Sequence, residues 1–136
     1  MAILVTGGAG YIGSHMVHEL NDAGEQVVVL DNLSTGFRFL LPSAVPMVVG
    51  HTGDQELVTQ LIAQHRVEAI IHFAASIVVP DSIGDPLGYY RNNTVNTALL
   101  LQAAVAAGVR QFIFSSTAGV YGNAETVPVP ETAPTN

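Results

Sequence analysis

The 136 residues contain no cysteine, no tryptophan and no lysine. Without cysteine there is neither a disulfide nor a thiol nucleophile, and a cytoplasmic location is the expectation. Without lysine, any chemistry that needs an ammonium group must draw it from another source. The cations are Arg38, Arg66, Arg91 and Arg110, and charged residues make up only 11% of the chain. Its formal net charge is −7, which would repel a polyanion, so nucleic acid is not expected as a partner. Apolar runs as long as a membrane span, about 20 residues, are also missing. Met1-Ala2-Ile3 leads into an apolar stretch with no basic leader, so neither a membrane nor a targeting segment is expected. What is abundant is hydrophobic side chain, 49% of the total, enough for one domain with a sizeable core.

The densest information lies in the first thirty-one residues. Ala2-Ile3-Leu4-Val5 is an apolar run that feeds into Thr6-Gly7-Gly8-Ala9-Gly10-Tyr11-Ile12-Gly13. Behind the glycines, Ile12, Met16 and Leu20 recur at helical spacing, and Ala23-Gly24 supplies a stop. A second apolar run, Val27-Val28-Val29-Leu30, ends on Asp31. Strand, glycine loop, helix, strand and carboxylate in this order form the dinucleotide-binding pattern. Gly7 suits the φ > 0 of a tight strand-to-helix turn. Gly10 lets the backbone approach a pyrophosphate, and Gly13 lets the helix pack closely. The unpaired N–H groups and positive dipole of the helix start would face the phosphates. Asp31 is placed to accept hydrogen bonds from a ribose diol, and would repel a 2′-phosphate, so NAD is expected over NADP.

Further along, Asn32 to Pro46 has turn chemistry and reads as an irregular connection. Met47-Val48-Val49 is a short third strand. Thr52 and Gln55 stand at capping-box spacing before a helix carrying Leu57, Leu61 and Ile62. Ala69 to Phe73 is a fourth strand, apolar at successive positions as burial on both faces requires. Ala74 to Asp85 reads as a loop broken by Pro80 and Gly84. One helix is expected from Pro86 to about Ala107, with Gly108 ending it. Its second half, Ala98 to Val105, is apolar almost all round and needs cover on more than one side. Gln111 to Ser115 is a fifth strand, and Gly122 to Asn136 reads as loop. This alternation implies an α/β doubly wound parallel sheet, a Rossmann fold with five strands in order 3-2-1-4-5. A complete fold of this type carries at least a sixth strand, so the expected domain over 1–136 is truncated.

Several segments carry a resemblance that covers essentially the whole chain. They are Val5 to His15, Asp31 to Gly36, Gly53-Asp54, His72 to Ala75, Tyr89 to Asn93, and Phe112 to Gly122. Together they resemble the N-terminal part of the extended short-chain dehydrogenase/reductase family, in its NAD-dependent epimerase/dehydratase branch. The resemblance implies an NAD cofactor and a nucleotide-sugar substrate, a UDP-hexose inverted at C4 by way of a 4-keto intermediate. It implies that Gly7, Gly10 and Gly13 form the phosphate loop, with Tyr11 and Ile12 over the pyrophosphate. Asp31, Asn32, Leu33, Ser34, Thr35 and Gly36 would surround the adenosine ribose. Asp54 and Gln55 would sit at the adenine; read from chemistry alone, Asp54 is either an acceptor for an exocyclic amine or a helix-start residue. Phe73, Ala74, Ala75, Ser76 and Ile77 would line the cofactor, with Asn92 in reach of it. Thr117 would hydrogen-bond the sugar's 4-hydroxyl as the catalytic Ser/Thr, flanked on the substrate by Ala118 and Gly119. A homodimer through the helix covering 86–107 is also implied.

Two departures from that pattern, and one contrast with a rival activity, bear on function. Relatives can place a lysine where this chain has Ile77, which removes a phosphate-directed charge. Sugar-nucleotide dehydratases carry an Asp-Glu pair after the Ser/Thr, where Ala118-Gly119 stands here, so elimination lacks its acid and base. The family's catalytic Tyr-x-x-x-Lys is expected beyond Asn136, together with the substrate domain, so the chain alone is expected to bind NAD without catalysis. The alternatives are another nucleotide-sugar 4-epimerase and a non-catalytic dinucleotide-binding module. His15 and His18 share a helix face without further ligands, so no metal site is expected. His72 reads as a satisfied residue at a strand end, Tyr89 and Tyr90 as packing residues, and Tyr121 as lacking a lysine to lower its pKa.

Overall fold

Short runs of β-branched and aliphatic residues form the centre of the molecule, described by a computed structural model over residues 1–135. The strands are β1 (Ala2–Thr6), β2 (Gln26–Asp31), β3 (Met47–Val49), β4 (Ala69–His72) and β5 (Gln111–Phe114). All pair in parallel in the order β3-β2-β1-β4-β5, as the strand–helix alternation implies. Val5 stands between Val29 and Ile71 in the register. Alternate side chains serve opposite faces. Leu4, Val28, Leu30 and Ile70 pack beneath Val58, Leu61, Ile62 and Leu100. Ile3, Val5, Val29 and Ile71 pack against Val17 on the other face. Each such fully buried side chain contributes about 1.5–3 kcal/mol, which explains why β1, β2 and β4 carry polar residues only at their ends.

The helices are α1 (Tyr11–Asp22), α2 (Gln55–His65), α3 (Val79–Gly84), α4 (Pro86–Tyr90) and α5 (Asn96–Ala106). Gly24 and Gly108, with φ of +78° and +75°, end α1 and α5 as the sequence implies. Three expectations need correction. The start of α2 is not a Thr52/Gln55 capping box: Asp54 is the N-cap and accepts from the Leu57 N–H at 3.0 Å. Thr52 is buried, and the Gln55 amide instead donates to Gln102 Oε1 at 3.1 Å. The stretch 74–85 is not all loop, because α3 lies within it. Pro80 sits in its first turn, where the missing N–H has no partner to lose. The helix expected over 86–107 is interrupted at Arg91–Val95, a π-helical turn in which the Asn96 N–H reaches back five residues to the Arg91 carbonyl. The irregular 32–46 connection also holds a short 3₁₀ turn, Arg38–Leu40.

Among the described residues no helix is long and apolar enough to cross a membrane. The β5 edge differs from the centre, for Ile113 and Phe114 are each 58% exposed. On α5, Leu100, Ala103 and Ala104 face the core, whereas Leu101 and Val105 face outward.

Candidate dinucleotide cleft

All five parallel strands end on the same edge of the sheet, and the segments leaving them enclose a cleft of about 620 Å³. Its floor lies at the carboxyl ends of the neighbouring strands β1 and β4, the point at which the strand order reverses. A smaller depression of about 290 Å³ lies at the opposite edge, between Gln26 and Pro46, and holds none of the expected residues.

The glycine loop is locked by its neighbours. Gly7 has φ +71°, and a Cβ there would stand 2.5 Å from the Ala74 nitrogen. The loop after β1 thus lies backbone against backbone with the loop after β4. A Cβ on Gly13 would stand 2.2 Å from the Gly7 carbonyl oxygen. At Gly10 the nearest atom would be 3.3 Å away, so the surrounding chain demands glycine there far less. Gly10 lines the cleft, where a missing side chain leaves the backbone open to a ligand. No side chain caps α1 among the described residues, so its first N–H groups are left for an anion. The cleft lining contains no arginine. Within these residues a bound diphosphate would meet main-chain N–H groups and the α1 dipole.

Asp31 ends β2, buried at 7% exposure, and lines the cleft. Its Oδ2 accepts from the Ala9 N–H at 2.9 Å and its Oδ1 from the Leu33 N–H at 2.8 Å. Each carboxylate oxygen has a second lone pair for a ligand hydroxyl. Asp31 therefore also pins the glycine loop, a role the sequence pattern did not disclose. Leu33 adopts φ +57° beside it, a left-handed conformation rare outside glycine and asparagine.

Most expected cofactor residues meet in this cleft. Gly7, Gly10, Tyr11, Ile12 and Gly13 form one wall, and Asn32, Ser34 and Thr35 extend it past Asp31. Phe73, Ala74, Ala75, Ser76, Ile77 and Asn92 form the facing wall. Leu33 and Gly36 lie in the same loop but outside the lining. Asp54 and Gln55 lie outside it too: Asp54 caps α2, and the Gln55 amide donates to Gln102 on α5. Thr117, Ala118 and Gly119 stand just beyond the cleft end, which is formed by Ser115 and Ser116. The Thr117 hydroxyl accepts from the Gly119 N–H at 3.1 Å and starts a 3₁₀ turn over Ala118–Tyr121. Gly50, His51 and Thr52 also line the cleft; they follow β3, and the strand-end rule would have found them. Asp81 enters from α3, which the reading of 74–85 as loop concealed, and Tyr89, read as a packing residue, enters from α4.

The histidines have local partners. His15 and His18 bond the carbonyls of Tyr11 and Leu40. His72 is 2% exposed and contacts the hydroxyls of Thr6 at 2.6 Å and Thr97 at 3.0 Å. Burial pushes its imidazole down to a pKa of about 4. It is a satisfied strand-end residue, with both nitrogens occupied.

The fold and the site can be set beside known proteins. The model of the NAD dependent epimerase/dehydratase family matches residues 3–136. A UDP-glucose 4-epimerase of Azospirillum brasilense is 56% identical over 133 residues, covering 98% of this chain and 38% of that protein. The chain thus spans about two fifths of that relative's length. The crystal structure of a UDP-glucose-4-epimerase from Stenotrophomonas maltophila, with bound NAD and formylated UDP-arabinopyranose, superposes with a TM-score of 0.88. It is 39% identical and covers all of this chain and 43% of that one. A UDP-glucose 4-epimerase of Thermus thermophilus, in complex with NAD, gives a TM-score of 0.87 at 39% identity, over 100% of this chain and 44% of that one. On fold, motif and sequence alike, the chain belongs to the NAD-dependent epimerase/dehydratase family.

Proposed function

We propose that residues 1–136 form the NAD-binding part of a UDP-glucose 4-epimerase, which interconverts UDP-glucose and UDP-galactose. The observation that carries the reading is the cleft itself, with a buried diol acceptor at one end, uncapped helix N–H groups in the middle and Ser115–Ser116 at the other. The relatives named as UDP-glucose 4-epimerases, two of them holding NAD, support it.

When bound, NAD supplies a hydride acceptor and donor. The chain's own residues bind and orient it. The Asp31 carboxylate receives the adenosine diol, and the α1 start receives the diphosphate. The 73–77 wall directs the remaining half toward Ser115–Ser116, and Thr117 lies next to that end to orient a sugar hydroxyl. The hydroxyl proton needs an acceptor poised near neutral pH. A threonine hydroxyl is far too weak a base, and His72 is buried with both ring nitrogens engaged. The family resemblance assigns the base to a tyrosine–lysine pair outside these residues, together with the substrate-binding half. Ala118-Gly119 in place of an acid pair favours epimerisation over dehydration.

The same reading includes a cytoplasmic location and a homodimer through the 86–107 helical stretch, supported by the outward-facing Leu101 and Val105. The test is conversion of UDP-galactose to UDP-glucose with added NAD. A protein extended to its relatives' length is expected to turn over, and residues 1–136 alone are not. Turnover by the isolated chain, confirmed by mass spectrometry to end at Asn136, would place the base within it and refute these roles. Inactivity of the longer protein on UDP-hexoses would refute the reaction.

A further inference from the structure

Beneath the 73–77 wall runs a chain of hydrogen bonds whose direction can be deduced. The Thr97 hydroxyl has one hydrogen, and the Asn93 carbonyl at 2.8 Å can only accept it. Thr97 Oγ1 must then accept from His72, so Nε2 carries the imidazole hydrogen. Nδ1 is bare and accepts from the Thr6 hydroxyl at 2.6 Å. The Asn93 side chain, for its part, grips both main-chain groups of Ser76. Its Oδ1 accepts from the Ser76 N–H at 2.8 Å, and its Nδ2 donates to the Ser76 carbonyl at 2.9 Å. Asn92 adds a bond to Ser76 Oγ at 2.8 Å.

Successive side chains of an α-helix diverge by about 100°, which makes it awkward for two neighbours to serve one residue. Asn92 and Asn93 both lie in the π turn, whose wider winding reduces that divergence. Such turns recur at functional sites. Here the turn aims two adjacent amides at one residue of the cleft wall.

We propose that His72, which touches no ligand, is a positioning residue: in its neutral Nε2–H form it fixes Thr97, and through Thr97 and the Asn93 clamp it sets Ser76 on the wall of the cleft. The consequence for cofactor affinity rests on the reading of this cleft as the NAD site. The sense of the chain and the holding of Ser76 do not. Breaking the Thr97 link leaves the buried His72 Nε2–H without its acceptor and removes the hydroxyl that ties His72 to the Asn93 carbonyl. A buried group left so is costly enough to loosen what it anchors.

The test combines three measurements on labelled protein. Nitrogen NMR of wild-type His72 should show the Nε2–H tautomer; a protonated Nδ1 at pH 7 would overturn the assigned direction. Thr97→Val should speed exchange of the Ser76 amide by about tenfold or more, and Thr97→Ser should restore it to near the wild-type rate. The Val5 amide, in the middle of β1, serves as a control for global unfolding. Unchanged Ser76 exchange in Thr97→Val, or equal loosening of Val5, would overturn the proposal. Calorimetry with NAD should show weaker binding for Thr97→Val than for Thr97→Ser. Absence of NAD binding by the wild type would sink the cofactor reading alone, because tautomer and exchange still decide the relay.

Discussion

Protonating His72 would place a charge among Thr6, Thr97 and the rings of Phe112 and Phe114, whose centroids lie 5.9 Å from the imidazole. The folded pKa is about 4 against 6.5 for a free histidine. Between those values the unfolded chain binds a proton that the folded chain refuses. Stability from this group is therefore complete above about pH 6.5, falls as the pH drops, and levels off below about 4; the total is roughly 3 kcal/mol. Urea unfolding at pH 7 and pH 4.5 should show that loss in the wild type, and His72→Gln should lack that part of it. Identical losses in the two proteins would mean that His72 is not excluded from titrating. The residue scale is also where sequence reading was most uneven. Asp31 announced itself by its distance from the glycines, but its bonds to Ala9 and Leu33 depend on how two loops fold back, which spacing does not encode. Asp54 offered both a cap and a ligand contact, and the structure shows the cap in use.

Among the elements, the β1–α1 turn is the one whose sequence and geometry agree most closely. Gly7 and Gly24 both have positive φ, but a Cβ at Gly24 meets nothing within 4 Å whereas one at Gly7 runs into the Ala74 backbone. Gly24→Ala should cost about 1–2 kcal/mol, the strain of a left-handed alanine. Gly7→Ala adds the forced separation of two loops and should cost at least about 2 kcal/mol more, approaching the severe end of single substitutions. Denaturant unfolding of both variants measures the difference; equal losses would show that the loops do not need their close contact. The helices were less legible. Apolar spacing located the 86–107 stretch, but a π turn adds one residue to a winding without changing composition, and its polar residues Asn92, Asn93 and Thr94 would look ordinary on an exposed helix face. In 74–85, Pro80 and Gly84 read as breakers, yet proline in a first turn and glycine in a last one are both compatible with a six-residue helix.

At the scale of the molecule, strand order was readable because apolar runs alternating with helices admit few right-handed parallel arrangements. The cleft followed from that order, since ligands sit at the carboxyl ends of strands where the order reverses. Its far end was harder to read, because Thr117 lies past the last strand on a segment whose place the alternation does not set. The outward faces of α5 and β5 carry Leu101, Val105, Ile113 and Phe114, all exposed by more than a third. Soluble monomers seldom leave such surface open, so the purified chain should self-associate at micromolar concentration, and Leu101→Glu with Val105→Glu should reduce this. Light scattering that finds only monomer in the parent chain would contradict the α5 interface.

The account as a whole stands on the cleft binding NAD with Asp31 receiving the diol, and calorimetric titration with NAD and with NADP tests this most directly. The expected result is saturable NAD binding, with NADP weaker by about tenfold or more, equivalent to about 1.4 kcal/mol. That gap should narrow in Asp31→Asn, where the 2′-phosphate no longer meets a carboxylate. Equal affinity for the two dinucleotides, or no binding of either, would contradict the account.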